Sequence, residues 1–265
     1  MKTHKRLWLT LVILPALLGA APAGPDFDAT QQAAIDAYRQ KFETIGNLAK
    51  LVATYREALK LAKLLEPKLE KYMEARMAKE SYPDEEELKA LGARMPGLAP
   101  HLVAEGTMMA LMPDYSAYGK IAARTAGTAD DAYFNLMKKA YGSTYSHYPL
   151  WFNQTWDYGG CTWLGKGLET SLMKEVQRLR QAKNPFTPEL KELEDEILRD
   201  LEQSDNFCLP RTQAIQELKQ LMPLLPAAAK QLQNRLQQLQ NNKPPKDRKF
   251  QFDCEGKNLG NCAYG

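Results

Sequence analysis

The chain is 265 residues long and carries 35 lysines and arginines against 32 aspartates and glutamates. Three of the bases, Lys2, Lys5 and Arg6, fall in the first 23 residues, which hold no acid, so residues 24–265 balance at 32 of each. A formally neutral body lacks the excess of bases that phosphate binding needs, which argues against nucleic acid as a partner; its length suits one sizeable helical domain or two small ones.

The three bases precede an apolar stretch at 7–18, and Ala21-Pro22-Ala23 supplies the small residues that a signal peptidase reads. This pattern predicts a secretory leader cleaved near Ala23, and with it a periplasmic or secreted protein. The apolar stretch falls short of the ~20 residues of a bilayer span. No cysteine follows the cleavage site to carry a lipid, and no later segment reaches spanning length, so no membrane span is expected after cleavage.

From Phe27 onward, apolar residues recur at Ile35, Tyr38, Phe42, Ile45, Leu48, Val52, Tyr55 and Leu59, in steps of three and four that share one helical face. The pattern runs to about Met77 and predicts a long amphipathic helix kinked at Pro67, or an antiparallel hairpin, with Asp28 or Thr30 capping its start. Ser81-Tyr82-Pro83-Asp84 is a break, and residues 84–87 place four acids where the next helix dipole favours them. Further helices are expected over about 100–112, 115–125, 129–141 (capped by Thr128, with Asp131 completing a partial capping box) and 163–183. Two more should start at Thr187-Pro188 and at Pro210, the last interrupted by Pro223 and Pro226. One short strand is expected at 250–253. With no alternating strand series and no repeat, the expected class is all-α: an irregular multi-helix bundle over 24–242 with an aromatic-rich loop at 142–162. A polar linker and a cysteine-closed tail follow at 243–265.

All four cysteines lie in the second half: Cys161, Cys208, Cys254 and Cys262. In an oxidising compartment, pairing is the default, and four cysteines allow three connectivities. The short polar spacer with two glycines favours Cys254 with Cys262, which leaves Cys161 with Cys208. Neither pair has the close spacing of a zinc or redox site.

The densest local feature is aromatic. Trp151, Trp156 and Trp163 lie close together with Tyr141, Tyr145, Tyr148, Phe152 and Tyr158, and with His147, Asn153, Gln154 and Asp157 interleaved. Flat rings beside amides suit sugars, peptides and other partly apolar ligands, which makes Tyr145, His147, Tyr148, Trp151, Asn153, Trp156 and Tyr158 the candidate ligand-binding residues. The competing reading is a core plug. A mixed arrangement puts Trp151 and Trp163 inside, with Tyr145, Tyr148 and Trp156 lining a groove. Asn153-Gln154-Thr155 also fits a glycosylation acceptor.

Met95, His101, Met108, Met109 and Met112 could offer soft ligands to copper, but methionine at helical spacing is ordinarily core filler, and no metal site is expected. No nucleophile elbow, phosphate-cradling glycine loop or metalloprotease motif appears, and no cofactor is implied. The candidates for a general acid are Glu105, among apolar neighbours, and Asp157, between Trp156 and Tyr158. The acidic face at 189–205 and the basic run at 243–249 read as solvated faces that pair if the linker folds back. The leading reading is therefore a secreted or periplasmic helical binding protein for a protein partner or an envelope-derived sugar or peptide. The alternatives are an envelope hydrolase and an adaptor that oligomerises through residues 27–79.

Overall fold

The computed structural model describes residues 24–103, 106–142, 148–154, 160–245 and 248–254. The leader at 1–23 lies outside the described residues. The fold is mostly helical, with nine α-helices among the described residues. Two small antiparallel sheets of two strands each qualify the all-α expectation.

Helix α1 (Ala29–Glu43) starts at a capping box: the Asp28 carboxylate accepts the Gln31 N–H at 2.9 Å, and the Gln31 side chain accepts the Asp28 N–H at 3.1 Å. Helix α2 (Leu48–Met77) begins after Gly46, with Asn47 accepting the Lys50 N–H at 3.0 Å. The hairpin alternative is therefore the one adopted, and the break falls at 44–47. Lys41 and Glu57 tie the two helices across the turn at 2.6 Å. Pro67 sits inside α2 without ending it. It removes only the N–H that would reach the Lys63 carbonyl, and the buried series Leu61, Leu65, Leu69 and Met73 holds the helix on the core either side of it.

Helix α3 (Glu85–Arg94) has the expected acidic first turn and a capping box between Asp84 and Glu87. The next expectation is overturned. Residues 98–113 form a β-hairpin, β1 (Leu98–Val103) and β2 (Met108–Pro113), where a helix was expected. Two glycines bracket β1. Gly97, at φ +86°, lies so close beneath the Phe42 ring that a Cβ would stand 2.3 Å from it. Gly106, at φ +80°, donates its N–H to Val103 in the turn. Positive φ at both ends stops a helix.

Helices α4 (Tyr115–Ala122) and α5 (Ala129–Tyr141) follow as expected. Thr128, however, makes no side-chain cap on α5, so the partial capping box is not formed. Tyr55 of α2, Tyr118 of α4, Tyr133 and Phe134 of α5, and Phe186 meet in one aromatic nest, with Tyr133 and Phe186 stacked at 4.0 Å. Their hydroxyls are paired in place: Tyr133 donates to Tyr55 at 3.1 Å, and Tyr38 and Tyr118 share a hydrogen at 3.0 Å. Apolar burial and polar satisfaction coincide there.

Strands β3 (Phe152–Gln154) and β4 (Gly160–Thr162) form the second sheet. Helices α6 (Leu168–Gln181), α7 (Thr187–Gln203), α8 (Arg211–Leu221) and α9 (Ala229–Asn241) complete the fold, with short 3-10 turns at the expected proline interruptions between α8 and α9. Buried apolar residues from Phe27 to Leu239 form one contiguous cluster. The expected strand at 250–253 reduces to a single bridge, Asn206 with Gln251. The basic linker does fold back, since Arg248 pairs with Asp205 and donates to the Gln203 carbonyl.

Helix α6 starts five residues later than its apolar pattern suggests. Glu169 in its first turn is 1 % exposed. Burial, and then the charge of nearby Glu217, push its carboxyl well above the usual range. A carboxyl raised in the fold binds its proton more tightly there than in the unfolded chain. Its contribution is therefore fully present below the ordinary value of 4.5 and is lost as pH rises above it. Glu169→Gln should flatten that fall. It is expected to gain more than ~1 kcal/mol over the native chain at pH 8 and little at pH 4, as read by urea melts at both pH values.

Candidate functional site

A groove of about 1000 Å³ opens between α2, β2, α5 and α7. Its floor is apolar and aromatic. Tyr55, Leu69, Met109, Leu111, Tyr133 and Leu193 all line it and all belong to the buried core. Tyr115 and Tyr141, stacked at 5.8 Å, continue the aromatic lining, and Tyr148 joins it from the aromatic segment. Two smaller hollows, of about 760 Å³ near Arg39 and Asp114 and of about 360 Å³ near Trp151 and Asp200, lie elsewhere.

The rim is acidic. Glu66, Glu70 and Glu74 follow one another at four-residue steps along α2, and Glu189, Glu192 and Glu196 stand on α7. Lys63 is the one base in the lining among the described residues. Two of the acids are already engaged. Arg56 grips Glu189 at 2.6 and 3.1 Å and also donates to the Pro185 carbonyl. Tyr141 donates its hydroxyl to Glu196. Burial, and then the Glu196 charge, push the Tyr141 hydroxyl far above its ordinary range, so it remains a donor. Glu66, Glu70, Glu74 and Glu192 are exposed at the groove mouth and have no such partner among the described residues.

Of the residues singled out in the sequence, Tyr148 lines this groove. Trp151 is 1 % exposed and lies in the core against Tyr141, at 5.8 Å between rings. Trp163 is partly buried against the cysteine cluster, with Lys166 over its ring at 4.3 Å. Asn153 is half-buried and directs its amide toward the Cys161 sulfur at 3.9 Å. Of the mixed arrangement, Trp151 is inside and Tyr148 lines a groove, whereas Trp163 is only partly buried. Tyr145, His147, Trp156, Tyr158, Glu105 and Asp157 lie outside the described residues. The hairpin divides the methionine group. Its register puts His101 on one face with Met108 and Met112, and Met109 on the other.

Cys161 and Cys208 are joined, and Cys254, disulfide-bonded as well, is buried against them. Its expected partner, Cys262, lies outside the described residues. Among the described residues, no helix is long and apolar enough to cross a membrane.

The acids on α2 went unread in the sequence. Their four-residue spacing was visible, but only the hairpin, folded along α2, turns that polar face into one wall of a groove. Comparison with family models, with characterised proteins and with solved structures found no match to this chain.

Proposed function

We propose that the chain is a binding protein of the periplasm or the extracellular space, and that its ligand sits in the groove between α2, β2, α5 and α7. The observation that carries this reading is the groove itself. A hollow of about 1000 Å³ floored by tyrosine, methionine and leucine, with Glu66, Glu70, Glu74 and Glu192 exposed at its rim, has the make-up of sites for partly apolar ligands. Export is supported by the leader pattern and by the buried disulfide, which an oxidising compartment sustains. That Tyr148 of the aromatic segment lines the groove supports giving that segment a share in the site, beside α2.

The test uses Nile red, an uncharged dye that brightens in apolar sites. The chain should take it up saturably, one per molecule. Ala62 is half-buried on the α2 wall, and Ala62→Trp should fill the space and lower dye affinity at least tenfold with the far-ultraviolet circular dichroism unchanged. Absence of saturable uptake, or undiminished uptake by a folded Ala62→Trp variant, removes the groove as the site.

A further inference from the structure

Among the described residues, the edge of β2 away from β1 pairs with no other strand, and the groove runs along it. The hairpin register pairs His101 with Ala110, Leu102 with Met109 and Pro100 with Leu111. One step beyond the strands, Asp114 donates to the Gly97 carbonyl at 2.9 Å, which fixes the phase of the ladder. Hydrogen-bonded pairs alternate with non-bonded pairs in an antiparallel ladder. The 97–114, 99–112 and 101–110 pairs are therefore bonded, whereas the 100–111 and 102–109 pairs are not. Pro100 and Pro113 agree with this phase, because both fall where no N–H is needed. Met109 and Leu111 thus turn both N–H and C=O away from β1. No backbone or side-chain group among the described residues takes them.

The lining shows where that edge looks. Every residue of β2 lines the groove, together with Thr107, whereas β1 contributes only Val103 beside the turn. A hollow over a sheet face draws alternate residues from both strands. One that draws consecutive residues from a single strand lies along that strand's edge.

We infer that the groove receives an extended peptide with basic side chains at alternate positions, added to β2 as a third strand. The inference rests on the groove being the binding site and names what fills it. Strand addition gives an incoming backbone partners at Met109 and Leu111, and pockets for alternate side chains set its specificity. The charge is complementary, since Glu66, Glu70, Glu74 and Glu192 face the groove against Lys63 alone. The spacing fits as well. Carboxylates four residues apart on a helix repeat about every 6 Å, and alternate side chains of a strand repeat about every 6.7 Å. The long flexible stems of lysine and arginine absorb that difference over three positions. The intervening side chains then point the other way, toward the tyrosine and methionine floor. A second copy fits less well, because neither β1 nor β2 carries a lysine or arginine to offer the acids.

Titration calorimetry with synthetic peptides tests this. A heptapeptide alternating lysine and valine should bind one-to-one and displace Nile red, and one alternating glutamate and valine should bind at least a hundredfold more weakly. Two further lysine–valine peptides carry backbone N-methyl groups on the lysines or on the valines. Strand addition requires that one phase lose at least tenfold and the other be spared. Glu66→Gln/Glu70→Gln/Glu74→Gln should lose at least tenfold for the basic peptide and keep its dye uptake. Equal affinity of the two methylated peptides overturns strand addition, and an unaffected triple variant overturns the charge match. If Nile red enters and the basic peptide does not displace it, the inference fails and the binding groove stands. If the dye does not enter, both fail. A dimer in sedimentation that the basic peptide does not dissociate assigns the edge to a second copy and overturns the inference.

Discussion

Replacing Cys161 and Cys208 together by alanine is expected to destabilise the fold by about 4 kcal/mol, because the bridge closes a loop of 47 residues in sequence separation. In the chain-entropy model that closure restricts the unfolded chain, so its loss lowers the unfolding midpoint and leaves the native contacts standing. Those contacts are present beside the bridge. The Thr162 N–H reaches the Asn206 carbonyl at 2.9 Å, and the Cys208 N–H reaches the Thr162 carbonyl at 2.9 Å. Both sulfurs are buried, so alanine also leaves a small unfilled space. Urea melts of the native chain and the double variant measure the difference. Reduction of the native chain should cost more than the double variant does, since Cys254 is bonded too. A loss below about 1 kcal/mol would show that backbone pairing alone holds β4 to the segment before α8. Set against total stabilities of about 5–15 kcal/mol, the expected loss is a large fraction of the whole.

Periodicity located the helices because an amphipathic face must repeat near 3.6 residues wherever it packs. It was blind to two changes of direction. The apolar series from Ile35 to Leu59 keeps helical steps straight through the turn at 44–47, so only Gly46 and the capping Asn47 betray the hairpin. Met108, Met109 and Met112 fit a helical stripe equally well, and the strand is decided by Gly97 and Gly106 at positive φ together with prolines at outward positions. The groove was harder still. The aromatics at 142–162 are neighbours in the sequence, whereas the nest formed by Tyr55, Tyr118, Tyr133, Phe134 and Phe186 is scattered along the chain and exists only once α2, α4, α5 and α7 assemble. Local density in sequence marked one edge of the groove, Tyr148, and missed the wall of acids on α2.

Glu217→Ala should cost about 3–5 kcal/mol, on the scale of the disulfide, through a residue no local pattern marks. Helix α6 follows Gly167, which has no side chain to cap it, and Glu217 on α8 supplies the missing acceptor from 50 residues away. One carboxylate oxygen takes the Gly165 and Gly167 N–H groups at 2.6 and 2.7 Å, and the other takes the Thr170 N–H at 3.1 Å. Each such bond to a charged acceptor is worth about 1.5–3 kcal/mol, and the three are not additive because they share one side chain. The site is 3 % exposed, so water cannot replace the acceptor without opening the α6–α8 contact. The loop is built around it. Gly165 sits at φ +113°, where an added Cβ would stand 2.8 Å from the Gln213 Cβ and 2.9 and 3.0 Å from the Gln213 and Ala214 backbone. Glu217→Gln should lie between the native chain and alanine, since either amide orientation sets an NH₂ against at least one of the three donors. Hydrogen exchange separates this from a general loss of stability. The Gly165, Gly167 and Thr170 amides should lose protection first, while the Tyr55 and Leu65 amides within α2 follow only the global melt. A glutamine variant as stable as the native chain, with those three amides still protected, would show that the late start of α6 is set by its glycines alone.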